Sequence, residues 1–186
     1  MKCFRLALAG VMMWQATLGI SRAQEKTEAA PQNPTPSEQR SEKDTHKRLE
    51  QLACGATEVH FSHRVAKEHE PLPSPPPDKG LVYVIRNNSP VGAAGGVKLG
   101  VDGKWVGVNR DGNYFYLELD PGPHYFCAAA SYYRGLLSLV IEKGKTYYLK
   151  QEITMTGVDL EMVNEERGQK YLAKYHRSIF EEKVKK

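Results

Sequence analysis

The chain has 186 residues, with 26 lysines and arginines against 22 aspartates and glutamates, 16 glycines and 11 prolines. This length gives room for one domain of ordinary size, which excludes a large multidomain enzyme and a polytopic membrane protein. The excess of basic residues is small, and there is no basic stripe or nucleic-acid-binding motif. Nucleic acid is therefore not an expected partner.

Residues 1–23 have the pattern of a secretory signal peptide. Lys2 and Arg5 precede an apolar stretch from Leu6 to Ile20, and small residues at Ser21 and Ala23 suit cleavage after Ala23. The apolar stretch is shorter than the ~20 residues that cross a bilayer, although retention as an uncleaved anchor is the alternative. Cleavage leaves 23 basic and 22 acidic residues. We expect a periplasmic or extracellular protein without a transmembrane span.

The cysteines support the same compartment. Cys3 lies before the apolar stretch, so it is not a lipidation site, and a charged, polar segment precedes Cys54. The chain is therefore not a typical lipoprotein. After cleavage only Cys54 and Cys127 remain, and a single pair in an oxidising compartment usually forms a disulfide. Two buried free thiols are the alternative.

Beyond the signal segment the composition divides the chain. Residues 24–53 form a polar, proline-containing linker that we expect to be disordered, with a possible short helix from Thr45 to Ala53. Residues 54–178 form the folded domain, and the basic tail 179–186 is expected to fray. Inside the domain, residues 66–79 hold five prolines and form an extended connection. Their composition resembles a recognition ligand, although linkers of this kind are commoner.

The first half of the domain shows the two-residue period of β-strands. Val59 to Val65 alternates apolar and polar residues, and the apolar run from Leu81 to Ile85 suits a central strand. Asp102-Gly103 predicts a two-residue hairpin turn, because both residues tolerate positive φ. This turn would pair four sets of residues: Val101 with Lys104, Gly100 with Trp105, Leu99 with Val106, and Val97 with Val108.

Alternation continues to the end of the domain. Phe115, Leu117 and Leu119 are expected to face inward, and Tyr114 and Tyr116 outward. Further strands are expected around Tyr125–Ala129, Leu137–Ile141, Tyr147–Ile153 and Leu160–Met162, and Asn164 would cap a helix ending near Tyr175. The fold class is therefore mainly β: an antiparallel β-sandwich or small barrel of about seven to eight strands with a short C-terminal helix.

A set of short motifs gives the sequence a family resemblance. They are Gly80 to Ile85, Gly100 to Gly107, Tyr114-Phe115, Asp120 to His124, Cys127 and Gly144 to Leu149. In this order they resemble the bacterial domain of unknown function 2846 family, over roughly residues 54–176, and members with the paired cysteines look closest. The resemblance implies an exported or envelope-attached β-rich domain. It implies no activity.

Six histidines raise the question of a metal site or an enzyme. A zinc site needs three or four converging ligands, whereas His60 and His63 lie three apart on a strand and point to opposite faces. The glycine-rich stretch near residue 94 lacks the residues of a phosphate-binding loop. We expect no metal, no cofactor and no catalytic residues. The alternative is a metal-dependent, hydrolase-like enzyme that uses His60 or His63 with His124.

Aromatic residues supply a candidate binding surface. Trp105 lies opposite Gly100, where an aromatic ring can cover a strand glycine, so packing is the simpler interpretation. Together with the outward Tyr114 and Tyr116, it could instead contact a ligand. We therefore expect a non-catalytic module that binds or scaffolds an envelope protein or a glycan. A purely structural spacer is the remaining alternative.

Overall fold

In a computed structural model, the chain is described for residues 36–89 and 95–183, with side chains from residue 43 onward. The expected signal peptide, residues 1–23, lies outside the described residues. Two helices and ten strands are present in the described part: α1 Pro36–Ala53, β1 His60–Val65, β2 Gly80–Arg86, β3 Val97–Val101, β4 Lys104–Asn109, β5 Asn113–Leu119, β6 Gly122–Ala130, β7 Tyr133–Ile141, β8 Thr146–Ile153, β9 Val158–Val163, α2 Glu165–Lys174 and β10 His176–Lys183.

The strands form two sheets that pack face to face. One sheet has six strands in the order β1-β10-β5-β2-β8-β9, and the other has four in the order β4-β3-β6-β7. The predicted mainly-β sandwich with a C-terminal helix is confirmed, whereas the sheets do not close into a barrel. The strand number is higher than expected.

The six-stranded sheet is mixed rather than purely antiparallel. β2 pairs in parallel with β8, and β10 pairs in parallel with β5. Parallel neighbours need crossover connections instead of hairpins. Residues 66–79 join β1 to β2 and helix α2 joins β9 to β10, so both connect strands of this sheet that are not neighbours, and both cover its outer face.

The main core lies between the sheets. It is built from alternate apolar residues of both sheets, as the period of two requires, and β2 is buried along its whole length, which confirms its central place. The buried members of this core are Val82, Val84, Val97, Leu99, Val101, Phe115, Phe126, Ala128, Ile141, Leu149, Val158 and Leu160.

The Asp102-Gly103 hairpin follows the expected register only near its turn. Both turn residues have positive φ, and Val101 pairs with Lys104 and Gly100 with Trp105. The expected partners Val106 for Leu99 and Val108 for Val97 are wrong. A β-bulge between Leu99 and Gly100 shifts the pairing by one residue, so Leu99 pairs with Gly107.

Helix α1 covers the outer face of the four-stranded sheet. It contains the short helix expected from Thr45 and begins earlier, at Pro36, within the segment expected to be disordered. Its last residue, Ala53, is fully buried in a small cluster with Cys127 and Ala129. Cys54 and Cys127 form a disulfide across 73 positions, as predicted. Within the described residues, neither helix is both long and apolar enough to cross a membrane.

Helix α2 covers part of the outer face of the six-stranded sheet. Asn164 caps it by accepting a hydrogen bond from the Arg167 amide at 3.0 Å, which confirms the predicted start. Gly168 lets the helix approach the sheet, because a Cβ atom there would overlap the ring of Tyr148.

The C-terminal segment differs from the expected frayed tail. Residues 176–183 form β10, which pairs with β1 over six residues. Phe180 explains this order: its ring packs edge-on against Phe115 at 5.0 Å and Phe61 at 5.7 Å, measured between centroids. Because charged residues surround Phe180 in the sequence, the pattern there does not predict a strand.

Candidate functional site

Trp105 lies on the outer face of the four-stranded sheet and packs closely. Its ring covers Gly100, as expected, and also contacts Gly55 after α1. The indole Nε1 donates to the Thr57 carbonyl at 2.8 Å, and the Lys98 ammonium lies 4.9 Å from the ring centroid. These contacts hold the segment after α1 against the sheet. Whether the remaining surface of Trp105 binds a ligand stays a prediction.

Tyr114 and Tyr116 occupy β5 in the other sheet, so they do not form one surface with Trp105. The sequence predicts that Tyr114 faces solvent, and this prediction is wrong, since its side chain is only 2% exposed. It points away from the main core, but a second layer buries it. Tyr116 is partly buried in the same layer. Alternation alone does not distinguish solvent from a second covering layer.

That second layer is rich in tyrosine. The ring of Tyr83 lies at the centre, stacked on Tyr148 with centroids 5.6 Å apart and in edge contact with Tyr114 and Tyr116. Burial, and the neighbouring tyrosines to a smaller extent, raise the pKa of the Tyr83 hydroxyl. The hydroxyl therefore keeps its proton and acts as a hydrogen-bond donor. We call Tyr83, Tyr114, Tyr116 and Tyr148 the tyrosine floor.

The histidines of the alternative enzyme have separate structural partners. His60 is exposed and lies 3.8 Å from Glu58. The Nε2 of His63 contacts the Ser178 hydroxyl at 3.1 Å. Burial and the nearby Arg110 charge lower the pKa of His63. Both residues lie on β1 in the six-stranded sheet.

His124 lies on β6 in the four-stranded sheet and pairs with a turn aspartate. Its Nδ1 is 2.6 Å from Asp102, and its Nε2 is 2.8 Å from the Asp120 carbonyl. A histidine–carboxylate pair can orient a catalytic imidazole. Here the second ring nitrogen also contacts the fold, so the side chain braces the β3–β4 turn against β6. Across the residues with described side chains, no three His, Cys, Asp or Glu side chains converge in a metal-binding group.

Tyr132 and Met155 are the two most exposed large apolar side chains in the described part of the chain, and they lie at two neighbouring hairpin turns. Tyr132 is 97% exposed, Met155 86% and Tyr133 50%. A Cβ atom on Gly157 would lie 3.8 Å from the Tyr133 ring, so the β6–β7 and β8–β9 turns are adjacent. We call Tyr132, Tyr133 and Met155 the tip patch. Neighbouring exposed apolar side chains of this size often mark a surface that another molecule covers.

The backbone beneath the tip patch is held firmly. Ser131 has a φ of 50°, a left-handed value that is unfavourable for a residue with a side chain. The Arg134 Nη1 donates to the carbonyls of Ser131 and Tyr133 at 2.9 and 2.8 Å. Arg134 also pairs with Glu50 of α1 at 3.8 Å. The tip therefore presents its aromatic rings on a braced turn.

Sequence reasoning assigned Tyr132 and Tyr133 only to the general abundance of tyrosine near strands. A more specific signal was present, because the segment Ser131-Tyr132 closes a hairpin without the glycine, asparagine or aspartate that such turns favour. Tyrosine at the second turn position therefore indicates a role in binding and not in forming the turn. Met155 lies in a turn between two threonines and gave no comparable signal.

Comparison with known proteins gives a distant relative of undetermined role. The chain is 28% identical over 109 residues to an uncharacterized protein of Haemophilus influenzae. The similar region covers 55% of this chain and 64% of that protein. The chain thus spans somewhat less than two thirds of the length of the relative it matches.

A family model also matches, over residues 76–165. The matched region begins within the proline-rich connection and ends at the start of α2, so it is shorter than the region from 54 to 176 that the motifs suggested. It includes both turns of the tip patch, Cys127 and all four residues of the tyrosine floor. Residues 76–165 are thus similar to the family described as "Protein of unknown function (DUF2846)".

Proposed function

We propose that this protein is an exported, non-catalytic module of the cell envelope that binds a partner protein through the tip patch. Export is supported by the signal-like pattern of residues 1–23 and by the Cys54–Cys127 disulfide, since disulfides persist mainly in oxidising compartments. Binding is supported by one observation above the others: Tyr132 is 97% exposed at a turn whose backbone is strained.

The chemistry of the tip patch favours a protein partner over a glycan. Tyrosine, methionine and arginine are enriched at protein interfaces, and all three types meet at Tyr132, Tyr133, Arg134 and Met155. Sugar-binding aromatic residues need a broad, flat ring surface, whereas these side chains project from convex turns. A projecting aromatic side chain suits insertion into a pocket of another protein. Because Arg134 braces the turn, little conformational entropy is lost on binding.

Site-specific photo-crosslinking in cells tests this proposal. A photoreactive amino acid replaces Tyr132 in the full chain, and the same amino acid at Val140 is the matched control. Val140 is also apolar and 64% exposed, but it lies near the opposite end of β7. We expect a discrete adduct to another protein from position 132 and none from position 140. Met155→Ser should weaken the adduct at 132 without lowering the stability of the fold.

Four results would contradict the proposal. Equal adducts from positions 132 and 140 would indicate random collision. An adduct at 132 that Met155→Ser leaves unchanged would remove the tip patch as the binding surface. A complete lack of adducts, with a wild-type phenotype for Tyr132→Ser, would favour the structural spacer. Binding of purified protein to cell-wall glycan that depends on Tyr132 would replace the protein partner by a glycan.

A further inference from the structure

The proline-rich connection runs over the outer face of the six-stranded sheet. Residues 66–79, here called the proline strap, leave β1 at the sheet edge and enter β2 near its centre, and no helix or strand forms within them. The strap carries Pro71, Pro73, Pro75, Pro76 and Pro77, which lack amide hydrogens and favour an extended polyproline conformation. These five residues therefore cannot donate backbone hydrogen bonds to the sheet.

The strap contacts the tyrosine floor. The Tyr83 hydroxyl donates to the Pro73 carbonyl at 3.1 Å. Pro73, Pro75 and Pro76 are half-buried, whereas Pro71 and Leu72 are exposed. Aromatic rings that pack on prolines, together with a ring hydroxyl or indole that donates to a proline carbonyl, are how polyproline segments are recognised between proteins. Here a tyrosine hydroxyl donates to a proline carbonyl within one chain.

Polar contacts on the strap lie mostly at its two ends. At the C-terminal end, the Lys79 carbonyl accepts from the Gly144 amide at 2.8 Å and the Lys79 ammonium lies 3.6 Å from Asp120. Glu70 accepts a hydrogen bond from Arg177 at 2.8 Å, and the rings of His69 and His176 lie 4.3 Å apart. The Glu70–Arg177 pair is partly exposed, with side chains 46% and 30% accessible. Exposed ion pairs add little stability. Beyond Glu70, the hydrogen bond from Tyr83 is the main polar contact that holds the middle of the strap.

We infer that the tyrosine floor is a recognition surface for an extended proline-rich segment, and that the strap is an internal ligand that a proline-rich segment of a partner can replace. The strap is tethered at both ends, so it occupies the floor at a high effective concentration. An external peptide competes with the strap. The apparent affinity of the peptide equals its affinity for the free floor multiplied by the fraction of molecules in which the floor is free. This surface shares no residue with the tip patch, so either assignment can fail alone.

Peptide titration of the full chain tests the inference. The ligand is a synthetic peptide of residues 69–79, and its control carries serine in place of all five prolines. Binding is followed by calorimetry with wild type and with a chain whose Pro73, Pro75 and Pro76 are replaced by serine. We expect the proline peptide to bind the substituted chain about tenfold more tightly than wild type, because internal competition is weakened. The serine peptide should bind neither chain.

A second substitution identifies the surface. Tyr83→Phe in the chain with the substituted strap keeps the ring and removes only the donor to Pro73, so peptide affinity should fall about fivefold. An unchanged affinity, or equal binding of the serine peptide, would overturn the inference. If the triple substitution prevents folding, Glu70→Ala releases the strap through an exposed ion pair and should tighten peptide binding about threefold. No binding of the proline peptide to any folded variant would also overturn it.

Discussion

The hydroxyl of Ser178 donates a hydrogen bond to Oδ1 of Asn109 over 2.6 Å, and this buried contact joins the two sheets. Ser178 lies on β10 of the six-stranded sheet, and Asn109 lies at the end of β4 in the other. The side-chain amide of Asn109 also donates to the Val84 carbonyl at 2.9 Å. Asn109 is fully buried, so a single polar side chain links three strands inside the sandwich.

Asn109→Ala should destabilise the protein by about 2–4 kcal/mol, because it removes the buried hydrogen bonds to the Val84 carbonyl and from the Ser178 hydroxyl that join the sheets. Urea unfolding followed by circular dichroism measures the loss. Asn164→Ala is the control, since it removes an exposed helix cap and should cost about 1 kcal/mol. An Asn109→Ala loss no larger than that of the control would show that the sheets do not depend on this link.

His63 should make stability depend on pH near neutrality. Because Ser178 uses its one proton on Asn109, the Nε2 of His63 must donate to Ser178. Burial and Arg110 lower the pKa of His63 in the folded state below its usual 6.5. The unfolded chain therefore binds the proton more readily, and folding stability falls as pH drops from 6.5 towards the lowered pKa.

Unfolding midpoints at pH 7.5 and 5.5 check this expectation. The wild-type unfolding midpoint should be lower at pH 5.5 than at pH 7.5. In His63→Gln, which keeps an amide donor for Ser178, the midpoint should differ less between the two pH values. His60→Gln on the same strand, at an exposed position, is the matched control and should behave as wild type. If His63→Gln shows the full wild-type fall, other groups carry the pH dependence.

The disulfide should contribute a large share of the free energy of unfolding and hold the C-terminal end of α1 against β6. A cross-link between positions 73 apart restricts the unfolded chain by about 4 kcal/mol in the loop-entropy description. The double substitution Cys54→Ala and Cys127→Ala should lose a similar amount in urea unfolding. Wild type kept in reducing agent should match it.

Helix α1 provides a second measurement of the same bond. An isolated helix of 18 residues is marginal in water, so without the bond to β6 the helical signal at 222 nm should decrease before the sheets unfold. A double substitution with the wild-type midpoint and an unchanged helical signal would show that packing at Ala53 and Trp105 holds α1 by itself.

Local rules predicted the parts of the fold that local chemistry determines. The positive φ of Asp102 and Gly103, the pairing of Gly100 with Trp105 and the cap at Asn164 depend on residues close in the chain. The bulge between Leu99 and Gly100 depends on how β4 meets the other sheet, and alternation carries no information about it. β10 also escaped prediction, because its partner β1 lies more than 100 residues earlier.

The candidate sites show the same limit. Tyr114 alternates as an outward residue would, yet helix α2 and the proline strap cover that face, and only the topology reveals the covering. The composition of the strap suggested either a linker or a recognition ligand, and its contact with Tyr83 is a tertiary property. The tip patch became evident only when exposure identified which tyrosines the fold does not use.

Gly168→Ala should destabilise the protein although alanine is the better helix former. In an open helix the change would gain about 1 kcal/mol. Here the added carbon would lie 2.9 Å from Cβ of Tyr148, an atom fixed by β8, and such overpacking costs about 1–3 kcal/mol. Thermal unfolding should give a lower midpoint for Gly168→Ala and an unchanged one for Glu166→Ala, which is exposed on the same helix. A stabilised Gly168→Ala protein would mean that α2 shifts freely on the sheet.

Arg86 carries a fully buried charge at the end of β2. Its Nη1 donates to the Asn87 carbonyl at 2.8 Å, and its Nη2 lies 3.4 Å from the Asp111 carboxylate. Within the described residues, Nε and Nη2 have no hydrogen-bond partner. Burial lowers the pKa of Arg86, and the Asp111 charge opposes that effect. The stability of this arrangement therefore depends on Asp111.

Asp111→Asn should cost about 3–5 kcal/mol, because it removes the nearest counter-charge of the buried arginine and leaves only the more distant Glu152. Arg86→Met should cost less, since it removes that charge and fills similar volume. In a double-mutant cycle measured by urea unfolding, the loss for both changes together should be close to that of Arg86→Met alone. Additive losses would show that the two side chains act independently, and that the Asp111 carboxylate serves mainly to accept the amide hydrogen of Ser89.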